Sequence, residues 1–305
     1  GTGISLPPVD EMIVNLQVAT PTEGLLNLSD MKSNSVHPLV NQNLFKFVKV
    51  GLGSLGVVTE LQLKCIPCLD LVEETKVKTR DTIQREHSYR LNKYRHTRYM
   101  WIPHTPTVVQ VTTNPYPEGV SKAKIANVKR DNDSSMTKSL CDLLLQRNKS
   151  KSEAEVSKLS FSQLRDELLD LNPLDLSLVK EINAAEASFW TKSTGYRVDD
   201  STNILGFDCG GEQWVYEVCL PIGTLKEMEA QEAQGKQTKD VAFVQKILKT
   251  IEKEGIAAPS PIEQRWTARS TAPMSPAYSE KEDDLFTWVG IIMYLPPSQT
   301  PEQRQ

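Results

Sequence analysis

Between Val50 and Leu63 a glycine-rich turn, Gly51-Leu52-Gly53-Ser54-Leu55-Gly56, runs straight into an alternating, β-branched stretch, Val57-Val58-Thr59-Glu60-Leu61-Gln62-Leu63. The order of these pieces constrains the fold more than the glycines do. A dinucleotide-binding GxGxxG follows a strand and opens a helix, because the helix N-terminus receives the pyrophosphate. Here a short helical pattern at residues 44–50 comes first and a strand follows, so the turn does not support a Rossmann site. Glycines at 51, 53 and 56 instead remove side chains where another surface must approach closely.

The rest of the chain also lacks a regular βαβ alternation. Residues 11–28 read as strands broken by a turn at 21–24. Residues 81–94 read as one charged amphipathic helix, and 98–103 with 107–113 as a hairpin. Helical patterns follow near 137–146, at 159–169 behind an N-capping Ser160, and at 176–189. Residues 204–211 and 213–220 read as strand, glycine turn, strand; 227–240 as an exposed acidic, Gln-rich stretch; 241–254 as a helix; and 285–295 as a long apolar strand. Polar segments at 31–42 and 118–152 read as loops, the latter carrying one helix. This mixed order predicts an α+β fold, and Pro67 marks a domain boundary.

The 305 residues suffice for two domains. A net charge of -4 gives no reason to expect a nucleic-acid partner. No run approaches the roughly 18 apolar residues of a membrane span, and no targeting peptide is visible. The chain starts at Gly1-Thr2-Gly3 without a methionine and stops soon after a strand, so it reads as a fragment. Five cysteines without regular spacing argue against a disulfide framework. The isolated Cys65-Ile66-Pro67-Cys68 follows a strand and suits neither zinc nor a thioredoxin-like centre. Histidines 37, 87, 96 and 104 have no partner at metal spacing; neither a metal nor a histidine base is expected.

Pro261-Ile262-Glu263-Gln264-Arg265-Trp266-Thr267-Ala268-Arg269-Ser270 concentrates chemistry. In an extended conformation Glu263, Arg265, Thr267 and Arg269 share one face. A carboxylate, a fixed cation, a hydroxyl and a second cation in a row suit a polyhydroxylated substrate and a site where negative charge develops. A solvated, salt-bridged strand face is the alternative.

Three segments, Gly1-Thr2-Gly3 with Leu6-Pro7-Pro8-Val9-Asp10-Glu11, the turn and strand of residues 51–60, and residues 261–270, carry a family resemblance. Residues 206–214 and 288–296 add to it. Together they resemble the aldonolactone oxidoreductases of the vanillyl-alcohol-oxidase (VAO/PCMH-type) flavoprotein superfamily, in their plant-type L-galactono-1,4-lactone dehydrogenase branch. The resemblance implies the last part of an FAD-binding domain at 1–66 and an α+β substrate-binding cap domain at 67–305. The earlier FAD segment and the C-terminal return to the flavin would lie outside the chain. Gly1, Thr2 and Gly3 match the end of a His-Gly-Thr-Gly loop near the flavin, and Gly51, Gly53, Gly56, Val57 and Val58 a second FAD-contacting turn. Glu263 and Arg265 match the substrate and catalytic pair, and Cys209 a thiol-reagent-sensitive cysteine. Arg269 and Trp266 read as supporting residues. The implied activity is oxidation of L-galactono-1,4-lactone to L-ascorbate, with cytochrome c as acceptor in a mitochondrial inner-membrane setting and association with complexes there. A related oxygen-using lactone or alditol oxidase and a non-catalytic assembly subunit are the alternatives. The chain departs from the pattern at Val50, where a cysteine is expected, at Ile4, where a small residue is expected, and in the extra residues 31–42.

Overall fold

The computed structural model describes residues 2–29, 42–117, 134–206, 212–259 and 261–295. Strand β1 (Ile13–Thr20) and strand β2 (Gly24–Ser29) form the hairpin that the turn residues predict. Helix α1 (Gln42–Lys49) precedes the glycine turn, and β3 (Val57–Leu63) follows it. The three strands make an antiparallel sheet in the order β2-β1-β3. Alternation places Leu16, Val18, Leu26 and Leu28 on one face, where Phe45 and Val48 of α1 cover them. Fully burying each such side chain contributes roughly 1.5–3 kcal/mol. Strand β3 forms one edge, and all seven of its residues are exposed.

The chain then crosses residues 64–69 into a second sheet. Its elements in order are β4 (Asp70–Thr79), α2 (Arg80–Ile83), α3 (His87–Lys93), β5 (His96–Trp101) and β6 (Thr107–Pro115). Helices α4 (Ser134–Arg147), α5 (Glu153–Val156), α6 (Phe161–Leu171) and α7 (Leu176–Lys192) come next. The chain continues through β7 (Gly195–Asp200), α8 (Ser201–Leu205), β8 (Gln213–Gly223), α9 (Leu225–Ala233), α10 (Lys239–Glu254), β9 (Ile262–Ala268) and β10 (Leu285–Tyr294). The seven strands pair antiparallel in the order β7-β4-β6-β5-β9-β10-β8. The α+β reading is thus realised as two antiparallel sheets with helices attached.

Each face of the large sheet carries helices. On one, Tyr99, Trp101, Ile262, Trp266 and Val289 pack against Leu91 of α3 and Val244 and Leu248 of α10. On the other, Val109 and Val111 meet Ala187 and Trp190 of α7. Helices α4 to α7 have their own core, in which the Phe161 and Phe189 rings stack at 4.1 Å. The Ser160 cap is realised as a capping box with Gln163, with bonds of 3.3 and 2.9 Å.

Three local expectations are corrected. The helix expected at 81–94 is two short helices, because Glu86 adopts a left-handed φ of 59°. The Arg90 guanidinium reaches back to the carbonyls of Ile83 and Arg85, satisfying the end of α2. The strand expected from Ile204 begins instead as α8, because the Asp200 carboxylate accepts the Thr202 N–H at 2.7 Å and caps a helix. The acidic stretch at 227–240 is exposed over most of its length, as expected, but not throughout: Thr224 and Glu227 cap α9, Met228 is buried within it, and Asp240 is buried in α10.

The N-terminal segment is tied to the far end of β9. The Ala268 N–H donates to the Leu6 carbonyl at 2.9 Å. Ser270 Oγ donates to Asp10. The Glu11 carboxylate accepts from Thr271 N–H at 3.0 Å, Thr271 Oγ1 at 2.8 Å and Lys49 Nζ at 2.8 Å.

Candidate active site

Strand β9 is extended, and its period of two divides its side chains as the sequence predicts. Gln264 and Trp266 point into the core and are fully buried. Glu263, Arg265 and Thr267 line a cleft of about 310 Å³ on the opposite face. The same cleft takes in Thr2, Pro7 and Pro8 of the N-terminal segment, His96 and Arg98 of β5, and Glu73 of β4. Register explains the meeting. Arg265 lies opposite Arg98, Glu263 opposite Met100, and His96 opposite Thr113, which also faces Glu73. Directly paired residues share a sheet face.

The charges alternate. Arg98 Nη1 is 3.6 Å from Glu263 Oε1, and Arg265 Nε is 3.5 Å from Glu263 Oε2. The other end of Arg265 bonds the Glu217 carboxylate on β8. Glu263 Oε1 is buried and has no hydrogen-bond donor among the described residues, so that oxygen retains acceptor capacity. Thr267 Oγ1 receives the Trp288 indole N–H at 2.8 Å. Arg269 donates to the Ser279 carbonyl at 3.0 Å, consistent with a supporting place.

Behind β9 a buried network fixes the strand. Trp266 Nε1–H donates to Asp240 Oδ2 at 2.7 Å, and His87 Nε2 lies 2.8 Å from the same oxygen. His87 Nδ1 lies 2.9 Å from Tyr99 Oη, which also accepts from Arg90 Nε at 2.9 Å. Burial alone would raise the Asp240 pKa. The neighbouring His87 and the bonds from His87 and Trp266 outweigh it and hold the value down at about 2.

Two histidines take places that the sequence did not indicate. His87 is buried within this network, and His96 opens the cleft-lining strand. Burial, reinforced by Arg95, lowers the His96 pKa, and its ring meets the Thr2 main chain. Only strand pairing reveals this, because His96 and Arg98 are far from Glu263 in sequence. Glu217 is likewise a site residue that the sequence did not single out. Among the described residues no group of three or more His, Cys, Asp or Glu side chains is arranged to hold a metal, and no helix is long and apolar enough to cross a membrane. Cys68 Sγ is exposed and 2.9 Å from Asp200 Oδ2. Gly1 and Cys209 lie outside the described residues.

The sequence profile of the D-arabinono-1,4-lactone oxidase family matches residues 61–305. The chain belongs to this family. It is 43% identical to L-galactono-1,4-lactone dehydrogenase 1, mitochondrial, of Oryza sativa subsp. japonica, over 100% of this chain and 50% of that protein. It is also 43% identical to the mitochondrial L-galactono-1,4-lactone dehydrogenase of Arabidopsis thaliana, over 100% of this chain and 49% of that one. The chain thus spans about half the length of the curated relatives it matches. In fold it is similar to cholesterol oxidase from Brevibacterium sterolicum, with a TM-score of 0.55 at 10% identity, covering 99% of this chain and 56% of that one.

Within this D-arabinono-1,4-lactone oxidase family member, two features suit the FAD implied by the sequence resemblance. The first is the glycine turn, which opens on a second cleft of about 350 Å³ lined by Gly51, Gly53, Gly56, Val57 and Val58. Gly53 has a φ of +73°, and the space where a Cβ would stand is open. At Gly56, with φ +138°, a Cβ would lie 2.3 Å from the Ala19 carbonyl oxygen, so the turn needs glycine to sit against β1. The second is the close seating of Gly3, where a Cβ would meet the Arg95 carbonyl oxygen at 1.9 Å. That contact brings Thr2 to the Glu263 cleft. At both places the main chain borders a cleft, at Thr2 and along residues 51–58, which fits a cofactor approached by backbone groups.

Proposed function

We propose that the chain is the substrate-binding part of an FAD-dependent enzyme that oxidises L-galactono-1,4-lactone to L-ascorbate. The carrying observation is the convergence of Glu263, Arg265, Arg98 and Thr2 on one cleft. Bound FAD would supply a two-electron acceptor for the hydride leaving a ring carbon of the lactone. Thr2, Gly3 and residues 51–58 would hold the cofactor. Arg265 stabilises negative charge that develops as the hydride leaves, since a guanidinium does not lose its proton. Glu263 accepts hydrogen bonds from the lactone hydroxyls and can take the proton that accompanies the hydride. Arg98 holds Glu263 from its other side. Cytochrome c as acceptor, a setting at the mitochondrial inner membrane and association with complexes there belong to the same reading; the names of the similar dehydrogenases support the mitochondrial part of it.

A second reading, an oxidase that passes the electrons to oxygen, is favoured by the family's own description as an oxidase. Both are tested with protein from the complete coding sequence. Anaerobic addition of L-galactono-1,4-lactone bleaches the flavin in either case. Reoxidation by cytochrome c supports the dehydrogenase, and fast reoxidation by oxygen with peroxide release supports the oxidase. Flavin that stays oxidised in the presence of the lactone contradicts the substrate assignment.

A further inference from the structure

The ion pair between Arg265 and Glu217 joins strands that are not neighbours. Arg265 stands on β9, Glu217 on β8, and β10 lies between them. On β10 the residue opposite Arg265 is Trp288, and the residue opposite both Glu263 and Glu217 is Gly290. The Trp288 indole is turned toward Thr267, where its N–H is bonded. Gly290 has no side chain, and a Cβ there would come within 3.7 Å of Glu217 Oε1. The guanidinium therefore crosses β10 over a gap left by glycine. Along the sheet the order becomes Arg98, Glu263, Arg265, Glu217, four alternating charges in which Arg265 is shared between two carboxylates.

This sharing has a consequence for Glu263. The Arg265–Glu217 contact is the tighter of the two, while Arg265 Nε stands 3.5 Å from Glu263. Without a carboxylate at 217, Glu263 is the ion-pair partner of the guanidinium that remains among the described residues, and opposite charges at this separation attract strongly in a partly buried setting. A fully paired Glu263 would lose acceptor capacity for hydroxyls. We propose that Glu217 is the positioning residue of Arg265, drawing the guanidinium across the Gly290 gap so that it does not close onto Glu263. The inference rests on the proposed roles of Glu263 and Arg265.

The test uses Glu217→Gln in the flavin-loaded protein from the complete coding sequence. The variant keeps the shape and removes the charge. Two readouts are taken: the anaerobic bleaching rate with L-galactono-1,4-lactone, and the Kd of the same lactone for chemically reduced protein, which cannot turn over. About a tenfold weakening of Kd and a slower bleaching rate are expected, with the thermal midpoint close to wild type. Glu217→Asp, which retains a carboxylate, recovers part of both. In an Arg265→Ala background, Glu217→Gln has no further effect on Kd. Wild-type Kd and rate in Glu217→Gln overturn the proposal, as does an undiminished Kd effect in the Arg265→Ala background. If Arg265→Ala itself bleaches at the wild-type rate, the functional reading fails; if it is slow while Glu217→Gln is normal, only the positioning role fails.

Discussion

Arg265 is about one-third exposed and lies between two carboxylates, so its charge is held in place without being neutralised by a single partner. A fixed donor of this kind typically supplies about 3 kcal/mol of barrier lowering. Arg265→Ala should therefore slow flavin reduction by roughly 10² to 10³ while leaving bound flavin in place. Asp240 makes a different prediction. Its carboxyl is held at about 2 against a usual 3.8, so the folded state favours the ionised form. That stability is present above about pH 4 and is lost as pH falls through about 2. Asp240→Asn should lose about 3 kcal/mol of stability near neutral pH, and its acid unfolding curve should be flatter than wild type in that window. Denaturant titrations at several pH values measure both effects; equal slopes in the two proteins contradict the assignment. The shared face of Glu263 and Arg265 was legible in sequence because a strand's period of two is local. Arg98, His96 and Glu217 were not, because their approach depends on which strands pair, and that is decided by burial across the whole sheet.

Elements set how accurately those residues are aimed. Strand β9 is clamped on its buried side by Trp266 and Gln264, the latter accepting the Trp101 indole N–H at 3.0 Å. The alternation that predicted its two faces holds because both faces are specified, one by the core and one by the cleft. Periodicity was less informative at 81–94, where a continuous helical pattern hides the left-handed Glu86. A non-glycine residue in that region is strained by roughly 1–2 kcal/mol, so Glu86→Gly should stabilise the protein by about 0.5 kcal/mol, measured by chemical denaturation. Destabilisation would mean that the Glu86 side chain contributes more than its backbone costs. At Ile204 the apolar pattern suggested a strand, yet the Asp200 cap starts a helix; short apolar runs do not distinguish the two. In the glycine turn the backbone demand is explicit. Gly56→Ala places a Cβ on the Ala19 carbonyl at a positive φ and should cost about 2 kcal/mol, read as a lowered unfolding midpoint.

Across the whole molecule, the decisive connection runs from the N-terminal segment to the end of β9. Glu11 gathers Lys49 and Thr271, and Asp10 receives Ser270. These bonds seat Thr2 beside the strand that carries Glu263 and Arg265, so the cleft exists only when both parts of the chain are in place. Glu11→Ala should cost about 2 kcal/mol of stability through the half-buried partners left behind. It should also weaken lactone binding, although the partners of the Glu11 carboxylate, Thr271, Ser270 and Lys49, do not line the cleft. The sequence showed that these segments share a family pattern but not that hydrogen bonds from residues 270 and 271 would hold residues 10 and 11, since such contacts leave no periodic trace. In the proposed function Glu263 and Arg265 act together on a sugar lactone in this cleft. Single-turnover, anaerobic flavin reduction by L-galactono-1,4-lactone in wild type, Glu263→Gln and Arg265→Ala tests this. Rapid bleaching is expected in wild type, and bleaching slowed by roughly 10² or more in Arg265→Ala. Glu263→Gln should show a weakened lactone dependence, with flavin content unchanged in both variants. Equal bleaching rates in all three proteins would contradict it.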